Sequence, residues 1–204
     1  MMSALPIYLV DDEEAIRRSL KLVLQLAGHD VIAFESGRHF LDAVGQLATG
    51  CILLDVRMPE IDGLQVQQAL IDRGIDMPVV IMTGHGDLGV AVTALKHGAD
   101  DFVEKPFERS QMLAAIERAC LRADDPEAFR GLVSHARAAL DRLGETERAI
   151  LDQYATGQAS AGVAAALGMK VDAVEMARIT LIEKIGASGL TDAIRLVYLT
   201  KSEG

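Results

Sequence analysis

The 204-residue chain contains no tryptophan, few aromatic residues of any kind (4 %), five prolines and two cysteines. Two cysteines do not make a disulfide-stapled scaffold. Cys51 stands in an apolar run and Cys120 on the face of a helical stretch, which reads as two buried, reduced thiols rather than a disulfide or a metal pair. No apolar run approaches the roughly 18 residues of a membrane span. Residues 1–6 offer neither the basic start nor the apolar stretch of a secretory signal, so a cytoplasmic location with no membrane partner is expected. Positive charge is also short. The formal net charge is −10; residues 1–125 hold 20 acids against 11 bases, and residues 126–204 hold 10 against 9. The first half is therefore a poor surface for nucleic acid. The remainder of the composition, half hydrophobic and one quarter charged, supplies enough aliphatic material for one large domain or two small ones.

Through about residue 122, short aliphatic runs alternate with longer amphipathic stretches, the pattern of βα units in a parallel sheet. Strands are expected at 7–10, 31–34, 51–55, 79–83 and 102–104, with helices near 14–27, 37–46, 64–73, 87–97 and 109–122. Gly28, Gly74 and Gly98 stand where helices should stop. Ala123-Asp124-Asp125-Pro126 breaks the pattern, because proline disfavours a helical residue before it and readily starts a new helix. Beyond it no strand-like run follows. The spacing predicts an α/β domain over 1–122, a mostly helical linker over 123–142 and a smaller all-α domain over 143–204.

The carboxyl ends of parallel strands share one edge of the sheet. Asp11 and Asp12 follow Ile7–Val10, Asp55 closes Cys51–Asp55, Thr83 follows Val79–Met82, and Lys105 with Pro106 follows Asp101–Glu104. Singly, each has an ordinary explanation: helix caps, a turn former, a surface lysine. Together, at strand ends and in order, they form a site for phosphoryl chemistry. An aspartate can accept a phosphoryl group as a covalent nucleophile when the negative charge is offset. Mg²⁺ is the natural offset, held by Asp11, Asp12 and Asp55 with the backbone carbonyl of Arg57. Lys105 would counter one phosphoryl oxygen and the Thr83 hydroxyl would hydrogen-bond another.

Five segments make residues 5–122 resemble the receiver domain of two-component response regulators. They are Val10-Asp11-Asp12-Glu13, Leu54-Asp55-Val56-Arg57-Met58-Pro59, Asp62-Gly63, Met82-Thr83-Gly84-His85-Gly86-Asp87, and Gly98 through Phe107. The last two particularly resemble the FixJ branch. The resemblance implies a flavodoxin-like (βα)5 fold, Asp55 as phosphoacceptor, Asp12 and Asp55 as direct Mg²⁺ ligands and Asp11 as an acidic partner acting through water. It also implies Thr83 and Phe102 as the switch pair, a cis Lys105-Pro106 peptide, and a sensor histidine kinase as donor. Arg57 and His85, each two positions beyond a site residue, stand where they would affect water access to an acyl phosphate, although a solvated rim explains them as well.

In the second half, Leu143 through Leu151 reads as a helix entered through an acidic first turn. Ser160–Leu167, the turn Gly168-Met169-Lys170 and the helix Val171–Ile185 then make a helix-turn-helix candidate, followed by Leu190–Thr200. Val163-Ala164, Leu167-Gly168-Met169, Val174-Glu175, Arg178, Leu181 and Lys184-Ile185-Gly186 resemble the LuxR-type output domain of FixJ and NarL regulators. The apolar framework matches better than the polar surface. Between Ser160 and Leu190 the cations are Lys170, Arg178 and Lys184, balanced by Asp172, Glu175 and Glu183, whereas DNA affinity draws heavily on cations. Val171, Asp172 and Ala173 stand where the family usually has Ser or Thr with basic neighbours, and Ala177 where His is frequent.

The sequence is thus expected to encode a phosphoacceptor regulator rather than an enzyme with its own substrate. Its DNA contacts would be Arg178, Lys184 and Lys170, and it would act as a phosphorylation-dependent homodimer. The alternative is a phosphorylation-controlled adaptor whose helix-turn-helix contacts protein instead. A phosphohydrolase using Asp55 would need hydrolytic elements and a substrate cap that are not evident.

Overall fold

In the computed structural model, residues 5–84 and 88–201 are described. The chain divides into two compact units, one comprising Met1–Asp87 with His97–Pro126, the other Leu88–Lys96 with Glu127–Gly204.

The first unit is built on five parallel strands, β1 (Ile7–Val10), β2 (Val31–Phe34), β3 (Cys51–Asp55), β4 (Val79–Thr83) and β5 (Asp101–Glu104), in the order β2-β1-β3-β4-β5. This is the doubly wound order of the flavodoxin-like fold. The three inner strands read as apolar runs because both faces are covered. On one face Ile7, Leu9, Cys51, Leu53, Val80, Met82 and Val103 pack with Leu20 and Leu24 of α1 (Glu14–Leu26) and with Met112, Ala115, Ile116 and Ala119 of α5 (Arg109–Asp124). On the other face Tyr8, Phe34 and Phe40 meet ring to ring, beside α2 (Gly37–Ala43) and α3 (Gly63–Asp72). The expected strands match at every boundary but one. β5 begins at Asp101, a buried acid that Arg118 neutralises at 2.6 Å. The helix expected at 37–46 ends at Ala43 and tightens into a 3₁₀ turn over Val44–Gln46.

Gly28, Gly74 and Gly98 have positive φ (94°, 65° and 85°), as helix-ending glycines should. α3 starts with a reciprocal cap in which the Gln65 amide donates to Asp62 Oδ1 and the Asp62 amide to Gln65 Oε1. This cap places Gly63 against the end of β3. A Cβ there would collide with the Asp55 carbonyl oxygen and stand 2.9 Å from Val56 Cα.

The second unit is wholly helical: α4 (Leu88–Lys96), α6 (Pro126–Leu140), α7 (Glu145–Tyr154), α8 (Ser160–Leu167), α9 (Val171–Ile185) and α10 (Leu190–Leu199). Its core includes Ile150, Leu151, Tyr154, Val163, Val174, Leu181, Ile194 and Val197, all at most 1 % exposed. α8 and α9 are joined through Gly168 at φ 66°, a left-handed turn that a residue with a Cβ adopts only at a cost. None of the described helices is long and apolar enough to cross a membrane.

Candidate functional site

Four strand ends deliver the expected residues to one edge of the sheet. Asp11 follows β1 and is fully buried; its Oδ1 accepts the Glu13 amide at 2.8 Å, and its carbonyl accepts Arg17 Nη1 at 2.7 Å. Asp55 ends β3 at 5 % exposure, Thr83 ends β4 at 1 %, and Lys105 follows β5. The Lys105 ammonium stands 2.6 Å from Asp55 Oδ1 and 2.8 Å from Asp11 Oδ2. Its own amide donates to the Thr83 carbonyl at 2.7 Å, so the end of β5 is tied to the end of β4. The Lys105-Pro106 peptide is cis, as the resemblance implied.

The electrostatics match the chemistry. Burial pushes the Asp55 carboxyl above its ordinary range, Lys105 pulls it back by hydrogen bond and charge, and Asp11 and Asp12 push it up again. Burial also weakens the hold of Lys105 on its proton, yet hydrogen bonds to Asp11 and Asp55 more than restore it, and its pKa is raised. Three carboxylates against one ammonium leave the pocket with an excess of negative charge. The Thr83 hydroxyl is buried and, among the described residues, has no hydrogen-bond partner. A buried unpartnered hydroxyl is costly, and it is the kind of group that a phosphoryl oxygen arriving beside it would satisfy.

The donor set suits Mg²⁺ in kind, since it is all oxygen and short of positive charge. Among the described residues, however, no three His, Cys, Asp or Glu side chains are drawn together at metal-ligand spacing. Lys105 bridges Asp11 and Asp55 instead, Asp12 is half-buried and Arg57 is exposed. Phe102 is buried at 8 % exposure and pairs with Ile81 across β4–β5. His85 lies outside the described residues.

Residues 7–117 match the response regulator receiver domain, and the chain belongs to that family. Its relatives extend the match over the second half. It is 37 % identical to the transcriptional regulatory protein FixJ of Azorhizobium caulinodans over 98 % of this chain and 94 % of the relative. It is 36 % identical to the response regulator protein TmoT of Ectopseudomonas mendocina over 96 % and 89 %. Among solved structures, full-length FixJ from B. japonicum is similar at a TM-score of 0.59 and 33 % identity, with 98 % of both chains covered. The chain is a FixJ-like transcriptional response regulator.

In the helical unit, two of the three expected DNA-contacting cations are engaged. Arg178 pairs with Glu175 at 2.7 Å, and Glu175 in turn accepts the Ser160 hydroxyl, which also meets the Tyr154 hydroxyl at 2.8 Å. Lys184 pairs with Glu147 at 2.7 Å. Lys170 is exposed at the start of α9. Hydrogen bonds hold the Glu147 carboxyl (from Lys184 and the Gly144 amide) and the Glu175 carboxyl (from Ser160 and Arg178) below the ordinary glutamate range. The sequence contained the charges but not these pairings, because Glu147 and Lys184 are 37 positions apart.

Sequence reasoning also missed an acid-rich cluster in the first unit. Arg122 Nη2 lies 2.8 Å from Asp76 and its Nε 3.1 Å from Asp100, whose Oδ2 accepts the Val79 amide at 2.9 Å. Burial pushes the Asp100 carboxyl up to about 6 despite Arg122.

Proposed function

We propose that a histidine kinase phosphorylates Asp55 and that the resulting switch controls transcription through the helical unit, in a cytoplasmic regulator with residues 1–122 as receiver and 143–204 as output. An Asp55 carboxylate oxygen attacks phosphorus as the bond to the donor nitrogen breaks. Lys105 balances charge on the phosphoryl oxygens and the Thr83 hydroxyl donates to one of them, so the protein assists its own phosphorylation by positioning and charge. Asp12 and Asp55, with Asp11 and the Arg57 carbonyl, would hold Mg²⁺, which offsets the negative charge of the reacting groups. The observation that carries this reading is Thr83: a buried hydroxyl without a partner among the described residues, at the end of the strand next to that of Asp55. Thr83 and Phe102 would relay the change, and driving such an equilibrium from 1:99 to 99:1 takes about 5.5 kcal/mol of differential contact. Intact-mass analysis with magnesium and acetyl phosphate tests it. One added phosphoryl group, abolished by Asp55→Ala, supports it; no addition, or addition undiminished in the variant, refutes it.

The output is proposed to bind DNA as a phosphorylation-dependent homodimer through Arg178, Lys184 and Lys170. The internal pairs of Arg178 and Lys184 favour a second reading, an adaptor that contacts protein. DNA retention at low and moderate salt, with and without an acyl-phosphate mimic, separates the two. Retention that steepens with falling salt and is lost in Arg178→Ala and Lys184→Ala supports the first; absence of retention under every condition supports the second.

A further inference from the structure

Asp11 and Asp12 occupy the turn from β1 into α1, and their carboxylates can act together only if the direction of that turn is fixed. Among the described residues, Glu13 supplies no side-chain cap at the head of α1. The turn is held from two other places. Asp11 Oδ1 accepts the Glu13 amide at 2.8 Å, and the half-buried Arg17 of α1 reaches back so that its Nη1 donates to the Asp11 carbonyl at 2.7 Å. That carbonyl belongs to the peptide that joins Asp11 to Asp12. We propose that Arg17 is a positioning residue for the phosphoacceptor site: its guanidinium fixes the Asp11–Asp12 peptide and thereby aims both carboxylates for the Mg²⁺ on which phosphoryl transfer depends, a role that rests on the phosphorylation of Asp55 proposed above.

A peptide unit is planar, so holding its carbonyl oxygen also sets the Asp12 amide and the direction in which the Asp12 Cα leaves β1. Asp11 is fully buried, and a buried carbonyl without a donor is costly. A guanidinium suits the task because it stays charged at every working pH and its hydrogen bonds to oxygen are charge-assisted. Asp11 is thus held at three points: its carbonyl by Arg17, Oδ1 by the Glu13 amide and Oδ2 by Lys105 at 2.8 Å. Two of the three survive when Lys105 turns from Asp11 toward a phosphoryl oxygen, so the acid keeps its place while its ammonium partner changes. Arg18, next in the chain, provides the contrast. It is 79 % exposed and stands 3.6 Å from Glu14, itself 72 % exposed, so it carries the same charge on the solvent side of α1. Groups that orient metal ligands without touching the metal change its affinity by about 10–100-fold when they are removed.

The test follows the amide NMR shifts of the full-length chain as Mg²⁺ alone is added, and separately the acetyl-phosphate labelling of Asp55 by intact mass across Mg²⁺ concentrations. Arg17→Met, which keeps the aliphatic stem without the donors, should bind Mg²⁺ about 10–100-fold more weakly. Arg17→Lys should recover part of that loss, and Arg18→Met should match the parent. Labelling of Arg17→Met should need correspondingly more Mg²⁺ and approach the parent's rate once Mg²⁺ saturates. A merely structural role would instead lower the labelled fraction at every Mg²⁺ concentration and leave the affinity of the folded chain unchanged. Circular dichroism checks folding; if Arg17→Met does not fold, Arg17→Gln takes its place with the same weaker binding expected. Unchanged Mg²⁺ affinity, a loss of labelling that saturating Mg²⁺ does not restore, or an equal loss of affinity in Arg18→Met overturns the role of Arg17. Where the parent is labelled normally, such a result leaves Asp55 as phosphoacceptor; a parent that neither binds Mg²⁺ nor accepts the phosphoryl group overturns both.

Discussion

Replacing Lys105 by methionine removes one positive charge from between two acids and keeps most of the side-chain length. The ammonium is 2.6 Å from Asp55 and 2.8 Å from Asp11, whose side chains are 7 % and 0 % exposed. Taking one partner from a buried ion pair costs about 3–5 kcal/mol, because the remaining charge has neither water nor a counter-ion. Asp12 adds to the repulsion. Lys105→Met should therefore destabilise the first unit by about 3–5 kcal/mol at neutral pH. Amide exchange at β1 and β3 should accelerate by about two to four orders of magnitude, at 1.4 kcal/mol per tenfold. The pH dependence gives a second check. The folded Asp55 carboxyl already titrates above its unfolded value, so the folded state binds more protons between the two values and loses stability as pH rises through that window. Without Lys105 the folded value rises further and the window widens. The gap between parent and variant should thus be largest at neutral pH and narrow as pH falls toward the ordinary carboxylate range. A loss below about 1 kcal/mol, the range of an exposed ion pair, or a gap that does not change with pH, would show that the three groups are not held as described.

Asp100→Asn should alter another slope. A folded pKa of about 6 against an ordinary 3.8 makes the parent lose about 2 kcal/mol of stability as pH rises from 4 to 6.5; the variant should lack that share, and equal slopes in urea melts of the two would refute it. Thr83→Val removes a hydroxyl that has no partner among the described residues, so exchange-derived stability should change by less than about 1 kcal/mol while acetyl-phosphate labelling of Asp55 falls; a large stability loss would reveal a hidden partner. Gly63→Ala should push the turn after β3 out of place, costing about 1–3 kcal/mol as overpacking does, with phosphorylation falling alongside thermal midpoint. Glu147→Gln should raise DNA retention of the phosphorylated chain by releasing Lys184, and unchanged retention would count against that lysine as a contact.

The sheet was legible because β1, β3 and β4 are covered on both faces and so read as unbroken apolar runs ending in chemistry. The clustering of the candidate site was legible for the same reason: its members are scattered in sequence, but Asp55 and Thr83 end their strands and Asp11 and Lys105 stand one step past theirs. What sequence order concealed are contacts between elements that share no pattern. Asp101 begins β5 although it is charged, because Arg118 pairs with its Oδ2 and the Phe102 amide donates to its Oδ1. Asp100 with Arg122 and Glu147 with Lys184 likewise meet only after folding. Periodicity along one element carries no record of such pairs.

The Glu147–Lys184 pair bears on how ionic strength would act on any nucleic-acid complex. Each lysine that replaces condensed counterions on a duplex steepens the fall of affinity with salt by about 0.9 in a double-logarithmic plot. Here Lys184 and Arg178 must first leave a carboxylate, and added salt weakens that internal attachment along with the new one. The two dependences partly cancel, so a dimer carrying four such cations, with Lys170 of each chain beside them, should titrate with a shallower slope than its charge inventory suggests.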